Sequence, residues 1–576
     1  MAPFLDFDDG EHVDAAIVTG AVPLYTAFTQ ANGSIFPLTL VSFRIERALF
    51  SDVLRITNWA PLCRIDNLLL HALAGALLWL IFRNLRISLP WRVLIVGAFL
   101  FHPMACESVC WVSERKNVLA AAFGFAAISA ALKEHLKFRG FTVIVLYACA
   151  LMSKPSALGL LPTLLLLQAP IVVRKISSDD ADSSPMAPSP TVLSSLSVAV
   201  ALVVTAAAAI SLSLQSHTHM IMKPPGGTVF TALLTDTEII RRYMQNLLFP
   251  IALSAAYAVK PIVSVLDPRF LVNGAIVFGV VAGTVWLSRR RALSLFFWWW
   301  FFAGLGPVMN LVATMLLMQD RYVYLSAPAF FGAVILALSG VYSRVNSNTV
   351  STVSTPAPRA AWVAITAILA ALVTSAVVRS TVWQNTYTLF GDAVEKQPLS
   401  ALAHWNFALA LVNSARFAES HNMPIDDVRE MRLRAVRELE TTTKLDDFER
   451  LVNPAKPLVV LSYVQLDLGH EFDAQASCRK ALLLPFFPQR IEAHLVLAKI
   501  AQQNDRFSEA LDHAQEAIRI AQANDNFPAG PAWLMAGIAL ERLNRIDEAA
   551  DAYSKVEATA PEFNSAQEKL KLLKAR

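Results

Sequence analysis

Charge is what this sequence has least of. Only 16% of its 576 residues are Asp, Glu, Lys or Arg, while 55% are hydrophobic; soluble domains carry about 25% charged residues. With a mean hydropathy of +0.47, the composition excludes an ordinary soluble chain and points to a polytopic membrane protein. Cysteine is scarce as well. Cys63, Cys106, Cys110, Cys149 and Cys478 are scattered, with no Cys-x-x-Cys pair, so neither a zinc site nor a disulfide framework is indicated. The net charge of +4 comes with no polybasic tract, which gives no footing for a nucleic-acid partner.

Long apolar runs stop near residue 380 and divide the chain in two. Before that point the pattern predicts ten membrane spans, near 60–83, 91–105, 117–133, 140–152, 156–172, 193–214, 269–287, 293–310, 326–343 and 360–378. Several are shorter than the roughly 20 residues a straight span needs. The fourth and fifth share one apolar run interrupted by SKPS at 153–156, and read either as a tight hairpin or as one span plus a re-entrant piece. Arg83, Arg86, Arg92, Lys133, Lys137, Arg139, Arg174, Lys175 and Arg289 to Arg291 fall in alternate loops, which the positive-inside rule assigns to the cytoplasm. The outer compartment then receives residues 1–59, the 107–116 loop, the 153–156 corner, residues 215–268, the loop MQDRYVYL (318–325) and everything after 379.

The 107–116 loop breaks the topology pattern, because Glu107, Glu114, Arg115 and Lys116 sit between apolar runs on the outer side. Charge at that depth is costly and faces a cavity or a partner. The alternative is that Arg115 and Lys116 snorkel to headgroups and Glu107 caps a helix. Ahead of the first span, FLDFDDGEH holds Asp6, Asp8, Asp9 and Glu11. Adjacent carboxylates near a membrane surface serve as a general base or hold a divalent cation, Mg or Mn, against a phosphate; the alternative is a solvated acidic tail.

Five outer stretches occur in a fixed order: FPLTLVSF (36–43), RIDNLLLHAL (64–73), HPMACESVCWVSERKNVL (102–119), SKPSALGLLP (153–162) and DRYVYLSAPAF (320–330). On these motifs the chain resembles the TMTC-type membrane proteins and their bacterial TPR-bearing relatives, GT-C glycosyltransferases related to protein O-mannosyltransferases. His102, Pro103, Glu107, Val109, Trp111 and Arg115 meet the pattern HPxxxExVxWxxxR, and Asp320 to Leu325 meet DRYxYL. The resemblance implies a polyprenyl-phosphate-linked sugar donor, with Asp8 and Asp9 matching the diacid at the centre of the reaction. One of them would deprotonate the acceptor hydroxyl, and Arg115, Lys154 and Arg321 would offset the growing phosphate charge. Glu107 would orient an arginine or the sugar, His71 and Asn67 would line the cavity, and Arg242 in the amphipathic segment ended by Pro250 would contact phosphate. Against these roles, His71 also reads as a satisfied core histidine, and Asp320 with Arg321 as a structural pair. Members of the family carry a span ahead of the diacid, and here seven residues precede Asp8. The expectation is a truncated sequence, the alternative a short translocated tail without that helix.

Beyond residue 395 the chain reads as soluble helical repeats. Gly469, Ala474 and Ala481, then Ala498, Ala510 and Ala517, then Trp533, Gly537, Ala549, Tyr553 and Pro561 recur in register, close to the TPR period of about 34 residues. A looser repeat begins at AHWNFALAL (403–411). The tracts 176–191 and 343–359 are rich in Ser, Thr and Pro, with too little apolar content to fold.

The expected fold is all-α: an outer acidic-motif segment (1–59), a transmembrane GT-C-like domain (60–380) and a TPR α-solenoid (395–576). The expected function is transfer of a sugar, mannose by the resemblance, from a polyprenyl-phosphate donor to Ser or Thr hydroxyls of a protein held by the TPRs. A catalytically inactive TPR scaffold is the alternative and a transporter a third reading. The expected location is the bacterial cytoplasmic membrane with site and repeats on the outer face, or the endoplasmic reticulum membrane with both in the lumen.

Overall fold

The computed structural model describes residues 9, 13–28, 36–133, 136–168, 172, 222–312, 314–345, 359–451, 453–524, 527–558 and 560–574. Asp8, the sixth expected span (193–214) and the tract 176–191 lie outside them, as does most of 343–359. Among the described residues the chain is all-helical, with no strand. It divides into two compact units, 1–397 and 398–576.

In the first unit we number α1 (Pro37–Glu46), α2 (Ala60–Asn84), α3 (Leu89–Phe101), α4 (Ala105–Cys110), α5 (Arg115–Ala131), α6 (Arg139–Ser153), α7 (Leu161–Gln168), α8 (Val229–Leu248), α9 (Pro268–Leu287), α10 (Arg291–Leu305), α11 (Ala327–Val345), α12 (Arg359–Val382) and α13 (Thr386–Lys396). Prolines open α1, α2, α3 and α9, where a missing N–H costs nothing. Five segments among the described residues are long and apolar enough to cross a membrane: α2, α9, α10 with the turns after it (Arg291–Val312), α11 and α12. Of the ten expected spans the sixth lies outside the described residues, and two of the apolar runs are interrupted. The run 91–105 is a 13-residue helix that stops at His102 before Pro103, and 140–172 is cut at Lys154 and Pro155, because proline lacks an N–H and restricts the residue before it. A hydropathy window averages over such breaks.

The long helices differ in depth. Over the most apolar part of α9 and of α12 only 6% is buried within the chain, against 56% for α10 and for α11. The first two therefore present Leu271, Phe278, Val373 and Val377 outward, as suits helices against lipid. The second two form the middle of the unit, packing Phe297, Trp300, Phe301 and Phe330 around α2, α3 and α5. Gly159 lets the 3-10 turn after Pro155 approach α10 closely: a Cβ there would stand 2.6 Å from the Ala303 carbonyl oxygen and 2.8 Å from Gly304 Cα. Backbone contact through small residues is how helices associate where lipid removes the usual hydrophobic drive.

The two ends of α2 meet different chemistry. At its C-terminus Arg290 donates to the carbonyls of Leu85 and Arg86, Arg92 covers Trp79, and Arg344 caps Trp286 of α9. The basic loops thus gather at one end of the unit. At the N-terminus of α2, Cys63 and Asn67 meet the 107–116 segment.

The second unit repeats one supersecondary form. We number α14 (Ala401–Ser420), α15 (Ile425–Lys444), α16 (Ala455–Asp467), α17 (Glu471–Leu482), α18 (Phe487–Gln503), α19 (Phe507–Gln522), α20 (Gly530–Arg542), α21 (Ile546–Ser554) and α22 (Phe563–Lys574). The turns inside four successive pairs each hold a left-handed residue: Asn422 (φ 53°), Gly469 (φ 81°), Asp505 (φ 55°) and Asn544 (φ 60°). The next residue's N–H closes back on the carbonyl five positions earlier, Met423 to Ala418, His470 to Gln465, Arg506 to Ala501 and Arg545 to Leu540, at 2.8–2.9 Å. These are four Schellman caps, satisfying helix-end carbonyls that would otherwise be orphaned. Ala474, Ala510 and Ala549 are fully buried, and a Cβ on Gly537 would lie 2.5 Å from the Tyr553 ring. Small side chains stand where paired helices touch.

Candidate functional site

Three segments far apart in sequence meet at Glu114. It ends the 3-10 turn Val112–Glu114 and is buried, as are Glu107, Lys116, Lys154 and Asn117. Lys154 Nζ donates to Glu114 Oε2 at 3.0 Å and to Asn117 Oδ1 at 2.8 Å. Lys116 Nζ and Arg321 Nε stand 3.3 and 3.4 Å from Glu114 Oε1. Arg321 also forms an ion pair with Glu107 Oε1, and its backbone N–H donates to Glu107 Oε2 at 3.1 Å. Asn117 fastens the cluster by donating to Ser108 Oγ and to the Arg321 carbonyl.

Three cations face two carboxylates here, and the electrostatics follow. Burial alone would raise the Glu114 carboxyl, but Lys116, Lys154 and Arg321 outweigh it and hold it at about 2. Burial lowers Lys154 to about 8 against the pull of Glu114. For Glu107 burial wins and pushes the carboxyl up, although Arg321 opposes it. The cluster therefore carries a local excess of positive charge close to a group that titrates near neutrality.

Arg321 also tops an aromatic stack. Its guanidinium carbon lies 5.0 Å from the Trp111 ring centroid, Trp111 stacks on Trp383 with centroids 6.0 Å apart, and the Arg379 guanidinium lies 6.0 Å from the Trp383 centroid. Arg379 bonds Asp392 at 2.6 Å, which Lys396 also holds. Beside Arg321, Asp320 accepts from Tyr257 Oη at 2.6 Å; burial, reinforced by Glu107, raises its carboxyl to about 7.

Adjacent Arg115 points elsewhere. Its three nitrogens donate to Asn67 Oδ1 (2.6 Å), Glu46 Oε1 and the Cys63 carbonyl (2.7 Å), and its guanidinium covers Phe43. With each nitrogen on a protein acceptor, Arg115 ties α1, α2 and α5 together. Asn67 completes the tie by donating to the carbonyls of Val109 and Trp111. His71 is a satisfied core histidine, bonded to Tyr324 Oη at 2.5 Å and to the Leu100 carbonyl at 3.1 Å. It does not line an open cavity. Arg242 donates to the Ala258 carbonyl and the Gln397 side chain and lies over Tyr257, one residue's contact from Asp320.

Asp9 is fully buried. Its Oδ1 accepts from the Ser113 backbone N–H (2.9 Å) and hydroxyl (2.6 Å), which brings the N-terminal acid onto the residue before Glu114. Among the described residues no three His, Cys, Asp or Glu side chains are grouped to hold a metal ion; of the expected diacid, Asp9 alone is described. All five cysteines are free. Glu114, Lys116, Asn117, Trp111 and Trp383 were not assigned roles from sequence. Glu114 and Lys116 stood in the charged run itself, whereas nothing local marks Asn117 or Trp383.

In the second unit a groove of about 500 Å³ runs between α19, α20 and α21, with Leu511, Ile518, Trp533 and Leu540 as its apolar wall and Asp547 and Asp551 at its edge. No protein-family model matches the chain, and no curated protein is significantly similar to it.

Proposed function

We propose that this integral membrane protein is a glycosyltransferase of the GT-C type, moving a sugar from a polyprenyl-phosphate donor to Ser or Thr hydroxyls of a protein. The observation that carries the reading is the meeting of HPMACESVCWVSERKNVL, SKPS and DRYVYL, the motifs on which the family resemblance rests, in one buried cluster with three cations and two carboxylates. A phosphate leaving from the sugar gains charge as the bond breaks, and preorganised cations in a desolvated site stabilise that charge most. Lys154 and Arg321 would face the phosphate, with Glu114 and Glu107 fixing their positions. Asp9, held by Ser113 one residue from Glu114, would stand with Asp8 near the acceptor hydroxyl as general base. The helix pairs of the second unit, read as TPRs, would present the acceptor through the groove under Trp533. In this reading the site and the repeats face the outer side of a bacterial cytoplasmic membrane.

A second reading, a membrane-anchored scaffold without transferase activity, draws on the same geometry: Lys154 and Arg321 already have carboxylate partners, and each Arg115 nitrogen has a protein acceptor. Transfer of radiolabelled mannose from polyprenyl-phosphate-mannose to protein separates the two. The transferase reading expects label on protein with the unmutated chain, lost in Arg321→Gln and in Asp9→Asn. Absence of label with a folded, unmutated chain supports the scaffold.

A further inference from the structure

The outer side of the third helix pair holds a cluster that the transferase reading does not use. His494 of α18 and His513 of α19 face each other with their Nδ1 atoms 3.2 Å apart and ring centroids 5.3 Å apart. Burial, then the other ring, holds His494 down at about 4, and burial lowers His513 as well. At 3.2 Å one Nδ1–H can donate to the other Nδ1, the tautomers setting which ring donates. Two nitrogens bound to one ion at 2.0–2.1 Å lie about 3.0 Å apart at a right angle and about 3.4 Å apart at the tetrahedral angle. The observed separation falls between those limits, so the spacing of the pair suits two nitrogens on one ion.

We propose that His494 and His513 form a two-histidine site for a divalent transition metal of the zinc, nickel or copper class, clipping α18 to α19. Imidazole suits these ions, and water supplies the remaining positions. On binding, the shared proton moves through solvent from Nδ1 to Nε2 of the same ring, so both Nδ1 lone pairs reach the metal with no net proton release. Glu509, Asp512 and Glu516 around the pair favour a cation, while Arg479, Arg490, Arg506 and Arg519 oppose it; Glu516 is held by Arg519. The ion is thus bound by coordination to nitrogen and not by a general acidic field. On α19 the groove residues Leu511, Gln515 and Ile518 lie some 140–160° around the helix from His513 at about 100° per residue, so the clip stiffens a helix pair without occupying the groove.

The test uses the full chain in detergent, stripped of metal, with Cu2+ as the spectroscopic probe and Zn2+ as the stabilising one. The sequence has 11 histidines, so the His494→Gln/His513→Gln double variant defines the background. Above that background, one equivalent of Cu2+ is expected to give electron paramagnetic resonance splitting from two nitrogens, and Zn2+ to raise the unfolding temperature. Each single variant is expected to lose about tenfold or more in affinity, as follows from removing one of two ligands. A one-nitrogen pattern in the unmutated chain, or near-original affinity in either single variant, overturns the proposal; the variants are compared only where circular dichroism shows the helical content of the unmutated chain.

Discussion

The two units use charge in opposite ways. In the first, Glu107, Lys154 and Arg321 come from three separate segments, and their pairs are buried. In the second, the pairs Arg506–Glu509, Arg519–Glu516, Arg545–Glu548 and Lys555–Asp551 lie three or four residues apart on single helices and face solvent. Nonlocal buried pairs must be held by the whole fold and leave an expensive charge behind when one partner is removed. Local exposed pairs hold themselves, and water replaces them at little cost. The contrast separates the units: buried charge held by the whole fold marks the first, and packing and caps dominate the second.

The comparison breaks most sharply at Glu114. Glu114→Gln leaves Lys116, Lys154 and the Arg321 Nε without their shared counter-charge, and denaturant unfolding in detergent is expected to show a loss of about 3–5 kcal/mol. The acid limit follows from the same group. Its folded value is depressed to about 2 from the ordinary 4.5, so its contribution is complete above pH 4.5 and is lost as pH falls toward 2. The unmutated chain should lose stability through that window more steeply than the variant. Next in size is Gly537→Ala, which forces a methyl against the Tyr553 ring and is expected to cost about 1–3 kcal/mol, read as a lowered unfolding temperature of the helix pairs. Smallest is Arg545→Ala, which removes an exposed pair with Glu548 three residues along the chain; no resolvable shift in unfolding temperature is expected. If Arg545→Ala cost as much as Glu114→Gln, the division between the two units would fail.

Much of the cluster was legible because its members sit in motifs. Lys154 and Arg321 read as phosphate contacts and Glu107 as orienting an arginine or the sugar; the structure brings these three to Glu114. The pair Arg115 and Lys116 was not separable in sequence. Both open α5, where consecutive side chains point about 100° apart; Arg115 therefore turns to Glu46 while Lys116 turns to Glu114. Sequence marks a charged run but not which member faces which wall. His71 and Asn67 show the same limit, since one helical face was visible but the partners on it, Tyr324 and the Trp111 carbonyl, come from other segments. In the second unit the small residues at 474, 510, 537 and 549 were readable as helix contacts because the repeat is local.

The four Schellman turns carry an evolutionary consequence. Asn422, Gly469, Asp505 and Asn544 occupy equivalent corners, each closed by its own hydrogen bond and needing nothing from the neighbouring pair. Crossing over between two such corners would remove or duplicate a whole helix pair while keeping both new helix ends capped and the buried alanines in step. An array closed in this way can gain or lose a whole helix pair without reworking the core of its neighbours.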